Sequence, residues 1–257
     1  MKDLEQGYVT SETHQGIATI EFFHPQGNSL PRRLLEDLAN EIHATGMDKE
    51  TKVMILSSGG GKAFCAGASF DELSLIENEK KGFDFFSGFA NVLNAMRKCP
   101  KMIIGRIHGK CVGGGVGLAA AVDYAIATEI VEIKLSELAI GIGPFVVGPA
   151  IERKIGNSAF GQLAIDAAMW RNSEWAKRKG LFAEVHATEE AMDESVRRLA
   201  SHLSHSSPQA MAELKKVLWK GTEHWEELLY QRAEISGKLA AGSFTKEAIL
   251  QLKSKVI

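Results

Sequence analysis

Glycine is spread unevenly along this chain, and each dense patch adjoins an apolar run. The clusters fall at Gly59–Gly61, Gly113–Gly115 and across Gly141–Gly148. Such patches let a backbone turn sharply and let neighbouring elements approach closely. They therefore ask for short strands that end in tight turns and pass into helices. Val53 to Leu56 is β-rich and bounded by glycine, which predicts a buried strand. Met102 to Ile107 and Tyr124 to Ala127 read the same way. Between them, Leu34, Leu35, Leu38 and Ile42 share one helical face, with Pro31 at the first turn and Gly46 expected as the stop. Phe85, Phe86, Phe89, Val92, Leu93 and Met96 form a second apolar stripe at helical spacing. Strands alternating with helices predict an α/β core.

The last third is different. After Leu181–Val185, glycine becomes sparse and helix formers dominate. Ala191 to Leu203, Pro208 to Lys220, Glu223 to Leu239 and Phe244 to Val256 read as consecutive helices, with Ser206–Ser207 a good start ahead of Pro208. A boundary near residue 204 divides a core, 1–203, from a helical region, 204–257. Fifty-odd residues of helix bury little alone, so this region is expected to pack on the core or on another subunit.

Charge and cysteine content narrow the function. With 30 basic and 32 acidic residues among 257, nothing points to nucleic acid or a membrane surface. Met1 to Gln15 carries no apolar run of the secretory kind, and no segment has the roughly 20 apolar residues of a membrane span. Cys65, Cys99 and Cys111 are odd in number and lack metal-ligand spacing, which fits a reducing, cytoplasmic setting and no bound metal.

Two small-residue segments carry the chemical signal. Ala63-Phe64-Cys65-Ala66-Gly67-Ala68 follows a strand and a glycine patch. Gly109-Lys110-Cys111-Val112-Gly113-Gly114-Gly115-Val116-Gly117-Leu118 places three glycines at the start of a small-residue helix. A helix start offers free N–H groups and a positive dipole end. Two such sources face to face would form an oxyanion hole, and turns or close packing are the plainer alternative. The second segment is not a phosphate loop, because no Lys-Ser/Thr follows, and it lacks the dinucleotide glycine spacing.

Taken in order, Asn28-Ser29-Leu30, the segment Lys62 to Ala68, Gly109 to Ala119, Asp123, Ser136-Glu137-Leu138 and Gly141 to Pro144 resemble the crotonase superfamily, the enoyl-CoA hydratase/isomerase family. The resemblance implies a spiral of ββα units with a C-terminal helical region that mediates trimers, often stacked as hexamers. It implies an acyl-CoA substrate, with coenzyme A part of that substrate and no further cofactor. It places the thioester oxygen between the N–H groups of Ala68 and Gly114, the adenine near the backbone of Ala66, and the entry beside Leu30 and Phe70. It also makes Glu137 the proton shuttle. Its neighbours in the sequence are Leu135, Leu138, Ala139 and Ile140, and a carboxylate in such a setting is expected to have its pKa raised by desolvation.

One departure stands out. Family hydratases mostly carry a first glutamate just after the triple glycine, and here Gly117 occupies that position. Shuttling one proton between carbons asks less of one carboxylate than positioning and splitting water. Enoyl-CoA isomerisation is therefore the leading expectation. Hydration of a short or branched enoyl thioester such as methylglutaconyl-CoA is the alternative, with Glu72, Glu77 or Glu79 as replacement acids. Decarboxylation or dehydration of a branched acyl thioester comes next, and a non-catalytic acyl-CoA-binding protein comes last. His14, His24 and His108 read as structural, Cys65 and Cys111 as small buried groups, and Asp123 as a cap or turn residue. The four tryptophans read as packing. Arg153-Lys154 and Arg171, Lys177, Arg178 and Lys179 read equally as solvated faces or phosphate contacts.

Overall fold

The computed structural model describes residues 3–255. Strands β1 (Tyr8–His14) and β2 (Ile17–Phe23) form an antiparallel hairpin. Its two-residue turn holds Gln15 and Gly16 at φ 49 and 79, the left-handed pair that matches strand twist. Ala18, Ile20 and Phe22 on β2 point inward and are buried. After β3 (Ser29–Leu30), helix α1 (Arg32–Met47) starts behind Pro31. Gly46 does not end it: it lies in the last turn, where a Cβ would stand 3.2 Å from the Cys99 sulfur, and Asp48 follows as the cap.

The chain then repeats one plan. Strands β4 (Val53–Ser58), β5 (Ala63–Cys65) and β6 (Gly67–Ala68) lead into helices α2 (Phe70–Ser74) and α3 (Glu79–Lys98). Strands β7 (Met102–Ile107) and β8 (Lys110–Val112) lead into α4 (Gly114–Ala121). Strands β9 (Tyr124–Thr128) and β10 (Glu132–Lys134) lead through a single 3-10 turn at Glu137–Ile140 into α5 (Gly148–Ile165). In each repeat the longer first strand (β4, β7, β9) joins one sheet and the strand after it (β5, β8, β10) another, which is the expected α/β spiral of ββα units. After β11 (Arg171–Asn172), α6 (Ser173–Arg178) and β12 (Glu184–His186), the order in the large sheet is β1-β2-β4-β7-β9-β12, parallel beyond the first pair. The smaller sheet runs β11-β10-β8-β5, and β3 pairs with β6 alone.

Four helices complete the described residues: α7 (Glu189–Ser204), α8 (Pro208–Leu218), α9 (Trp225–Ala240) and α10 (Ser243–Lys255). The expected end of the last at Val256 lies outside the described residues. Helix α7 covers one face of the large sheet, where Met192, Val196 and Ala200 meet Val53, Ile55, Ile104 and Ile126. Helix α8 is fastened to the same sheet by a buried ion pair, Lys215 Nζ to Asp123 Oδ2 at 2.9 Å. Helix α9 lies along α3, and Gly82 and Gly237 let the two backbones touch: a Cβ on Gly82 would stand 2.5 Å from the Gly237 Cα. These helices thus pack on their own chain's core. Among the described residues no helix is long and apolar enough to cross a membrane.

Candidate active site

Each of the three glycines before and inside α4 is required by something different. Gly113 holds φ 52, ψ −114, a backbone state that side chains resist. A Cβ on Gly114 would overlap the Phe89 ring, and one on Gly115 would overlap the carbonyl of Cys65. The start of α4 is therefore pressed between α3 and the β5 strand. Gly67 is equally confined, at φ 91, with its Cβ position 2.8 Å from the Val112 carbonyl and 3.4 Å from the Gly114 nitrogen. The β6 strand, which ends at Ala68, consequently abuts the N-terminus of α4. As the first helical residue, Gly114 has no carbonyl behind it in the helix to take its N–H.

Glu137 opens the 3-10 turn opposite. Its Oε1 would stand 2.7 Å from a Cβ on Gly113, so the carboxyl lies directly against the glycine corner. Oε2 is enclosed and has no partner among the described residues. Burial pushes the carboxyl up to about 7, and the bond from its own backbone N–H offsets only part of that. The turn closes at Gly141, φ 80, where a Cβ would meet Phe244 and stand 3.1 Å from Thr245 Oγ1. Helix α10 is thus seated on the turn that presents Glu137.

A cavity of about 470 Å³ opens between these two corners. Ala66, Ala68, Phe70, Gly114 and Glu137, all expected at the site, line it together. Leu30 does not: it is fully buried beside Ala68 in the β3–β6 pair, and its neighbour Ser29 faces the cavity instead. Asn28 shapes this corner at φ 57, its amide donating to the carbonyls of Gly59 and Ala63, each at 2.8 Å. Lining residues absent from the expectations include Phe86, Phe89, Val147 and Ser236. The α3 stripe held the first two; nothing short-range marked the others.

Glu137 is the one carboxylate among the described residues that line the cavity. Glu72 accepts from the Arg32 N–H at 2.8 Å, Glu77 pairs with Lys81 at 2.7 Å, and Glu79 opens α3 beside an outer groove. None of the three reaches the site. At Gly117 a Cβ would stand 2.5 Å from the nearer methyl carbon of Val147, so that wall is filled by an apolar side chain.

Other expectations resolve differently. Asp123 is more than a cap: besides Lys215 it accepts from Trp219 Nε1 and the Ile103 N–H, each at 2.8 Å. Lys154 donates to the Asp123 carbonyl at 3.1 Å, and burial pushes it down to about 8. Arg153 lies 4.0 Å over the Trp219 ring. This part of the basic run holds α8 to the core. Arg171 pairs with Asp166 at 3.5 Å. Cys65 and Cys111 are buried with their thiols pushed up, Cys65 to about 12, as befits inert groups. His108 is buried with its pKa lowered by desolvation and by Arg106.

The profile of the family described as Enoyl-CoA hydratase/isomerase matches residues 12–251. Among individual proteins, the chain is 27% identical to a "Probable enoyl-CoA hydratase" of Bacillus subtilis, covering 94% of this chain and 93% of that one. It is 30% identical to the mitochondrial methylglutaconyl-CoA hydratase of Mus musculus, over 82% of this chain and 68% of that one. It is 29% identical to the peroxisomal Delta(3,5)-Delta(2,4)-dienoyl-CoA isomerase of Arabidopsis thaliana, over 76% and 74%. The fold superposes on the crystal structure of enoyl-CoA hydratase from Bacillus halodurans with a TM-score of 0.88 at 23% identity, covering 95% and 99%. The profile match over nearly the whole chain, together with the spiral and the paired glycine corners, shows that the chain belongs to the enoyl-CoA hydratase/isomerase family of acyl-CoA enzymes.

Proposed function

We propose that the protein is an enoyl-CoA isomerase that moves one proton with Glu137. The observation that carries this reading is the lone carboxylate in the cavity, raised to about 7 and set against the Gly113 corner. In a 3-enoyl thioester the ionised Glu137 takes a proton from the α-carbon. The electron pair moves onto the thioester oxygen, which the N–H groups of Ala68 and Gly114 hold. The carboxylic acid then returns the proton to the γ-carbon as the double bond settles between the α- and β-carbons. No other reactant is needed. Fixed N–H donors aimed at such an oxyanion are each worth about 3–4 kcal/mol in related chemistry. A group with a pKa near working pH serves both as base and as acid.

Water addition is the second reading, favoured by the likeness to methylglutaconyl-CoA hydratase. It requires water to be held without a second carboxylate, because Val147 fills the wall at Gly117. Incubation with 3-enoyl and 2-enoyl thioesters separates the two. Conversion of the 3-enoyl to the 2-enoyl thioester, with slow or no hydroxyacyl product, is the expected result; rapid hydration of the 2-enoyl thioester overturns it. In this reading residues 204–257 serve a trimer or hexamer, for which Leu214, Val217 and Leu218 on α8 offer an exposed apolar face.

A further inference from the structure

The cavity has a second polar end. Ser236 on α9 lines it and is 1% exposed. Among the described residues its hydroxyl forms no hydrogen bond. A hydroxyl that opens on the cavity without a protein partner is available to an oxygen placed against it, as donor or acceptor.

Its distance from the chemistry follows from α3. The Phe89 ring covers Gly114 at the corner beside Glu137, whereas Gly82, seven residues earlier on α3, touches Gly237, the neighbour of Ser236. At 1.5 Å per helical residue the separation is roughly 10 Å. Phe86, Leu73 and Ile142 are among the apolar residues that line the same cavity. The one cation among the described lining residues, Lys134, holds its ammonium 5.4 Å from the Trp170 ring centroid. Lys80 and Lys238 line the outer groove instead. A carboxylate at the Ser236 end would therefore be buried against one neutral hydroxyl, which is costly. A keto or hydroxyl oxygen would be satisfied there, since the serine can donate and accept.

We infer that Ser236 is a specificity-determining residue, and that the cavity selects CoA thioesters whose acyl chain is apolar near the thioester and carries a neutral oxygen at its far end. The inference rests on the acyl-CoA reading above and is independent of which reaction follows. The test is calorimetric binding to the intact protein of three saturated thioesters that cannot isomerise. They are octanoyl-CoA, the same chain bearing a keto oxygen one carbon from its end, and the dicarboxylic suberyl-CoA. The keto thioester should bind about tenfold more tightly than octanoyl-CoA, the worth of one hydrogen bond made rather than lost, and suberyl-CoA most weakly. Ser236→Ala, a conservative change in a helix, should erase the keto preference and leave octanoyl-CoA binding as tightly or more so. Equal binding of the keto and plain thioesters overturns the inference while leaving the acyl-CoA reading intact. So does a preference that survives Ser236→Ala. Binding of none of the three overturns both.

Discussion

The two corners of the site are made in opposite ways. At Gly113–Gly115 the geometry is set by backbone: every residue of α4 is buried, and each glycine is pinned by a neighbour that leaves no room for a side chain. At Glu137 the geometry is set by a single-turn helix with no buried residue of its own, held by Gly141 and by α10 from the far end of the chain. The first corner supplies fixed dipoles that need no reorganisation. The second supplies a titratable group whose pKa depends on what covers it. A rigid corner is hard to tune, and the Glu137 turn is correspondingly sensitive.

The largest effect should come from Glu137→Gln, which keeps size and removes titration. Turnover should fall by ~10²–10⁴ with acyl-CoA affinity nearly unchanged. Stability should respond as well. Folding raises this carboxyl from 4.5 to about 7, so the folded state binds the extra proton. The stabilisation is fully present below the ordinary carboxyl range and is lost as pH rises through about 7. Denaturant titrations across that window should slope downward in the native protein and flatten in the variant. An unchanged slope would mean that the carboxyl is not desolvated.

Removing the Gly114 N–H is the matching test on the rigid corner. Gly114→Pro would also drive a ring into Phe89, so it confounds two effects. Replacing the 113–114 amide by an ester deletes the donor and adds no atom at the α-carbon. Turnover should drop by ~10²–10³, somewhat less than for Glu137→Gln, with the pH profile unmoved. A shifted profile would show that the two corners are coupled electrostatically.

The corners also differ in how visible they are in the sequence. Ala68, Gly114 and Glu137 sit in contiguous motifs, so local order suffices to single them out, and all three line the cavity. Val147 and Ser236 reach the cavity through contacts with residues far away in the chain, Gly117 in one case and the α3–α9 seam in the other. No periodicity announces such contacts. The β1 strand was missed because its second half is exposed and shows no alternation. Helix α5 was missed because Gly148, Pro149, Gly156 and Gly161 read as loop, and Gly156, φ 73, does break the helical path. Gly46 misled in the other direction: its role is to let Cys99 approach, which looks the same in sequence as a helix stop.

The wall at Gly117 gives a gain-of-function test. Gly117→Glu alone should misfold or destabilise, since Val147 occupies the space and overpacking of this kind typically costs about 1–3 kcal/mol. Paired with Val147→Gly, the carboxylate has room. Water addition relative to bond migration should then rise about tenfold, a fraction of what a well-placed general base supplies. Hydration that rises with Val147→Gly alone would assign the effect to admitted water and not to the new carboxylate.

The smallest effect should come from ending the chain after Gly242. This leaves α9 packed along α3 and removes the helix seated on Gly141. Thr245 and Ile249, the buried residues of α10, leave with it, and Ile142 and Leu73, which cluster with Ile249, mark the surface that would be uncovered. Water gains access to the turn, and desolvation of Glu137 weakens. Its pKa should then fall from about 7 toward the ordinary carboxyl value of 4.5. Because the base acts ionised, the acid limb of kcat/KM should move to lower pH, while the plateau falls only a few-fold as a weaker base meets the same carbon acid. The rigid corner gives no reason for any such movement, so the limb reports on the Glu137 turn alone. An acid limb that stays in place would mean that Gly113 and the cavity rim enclose the carboxyl without help from α10.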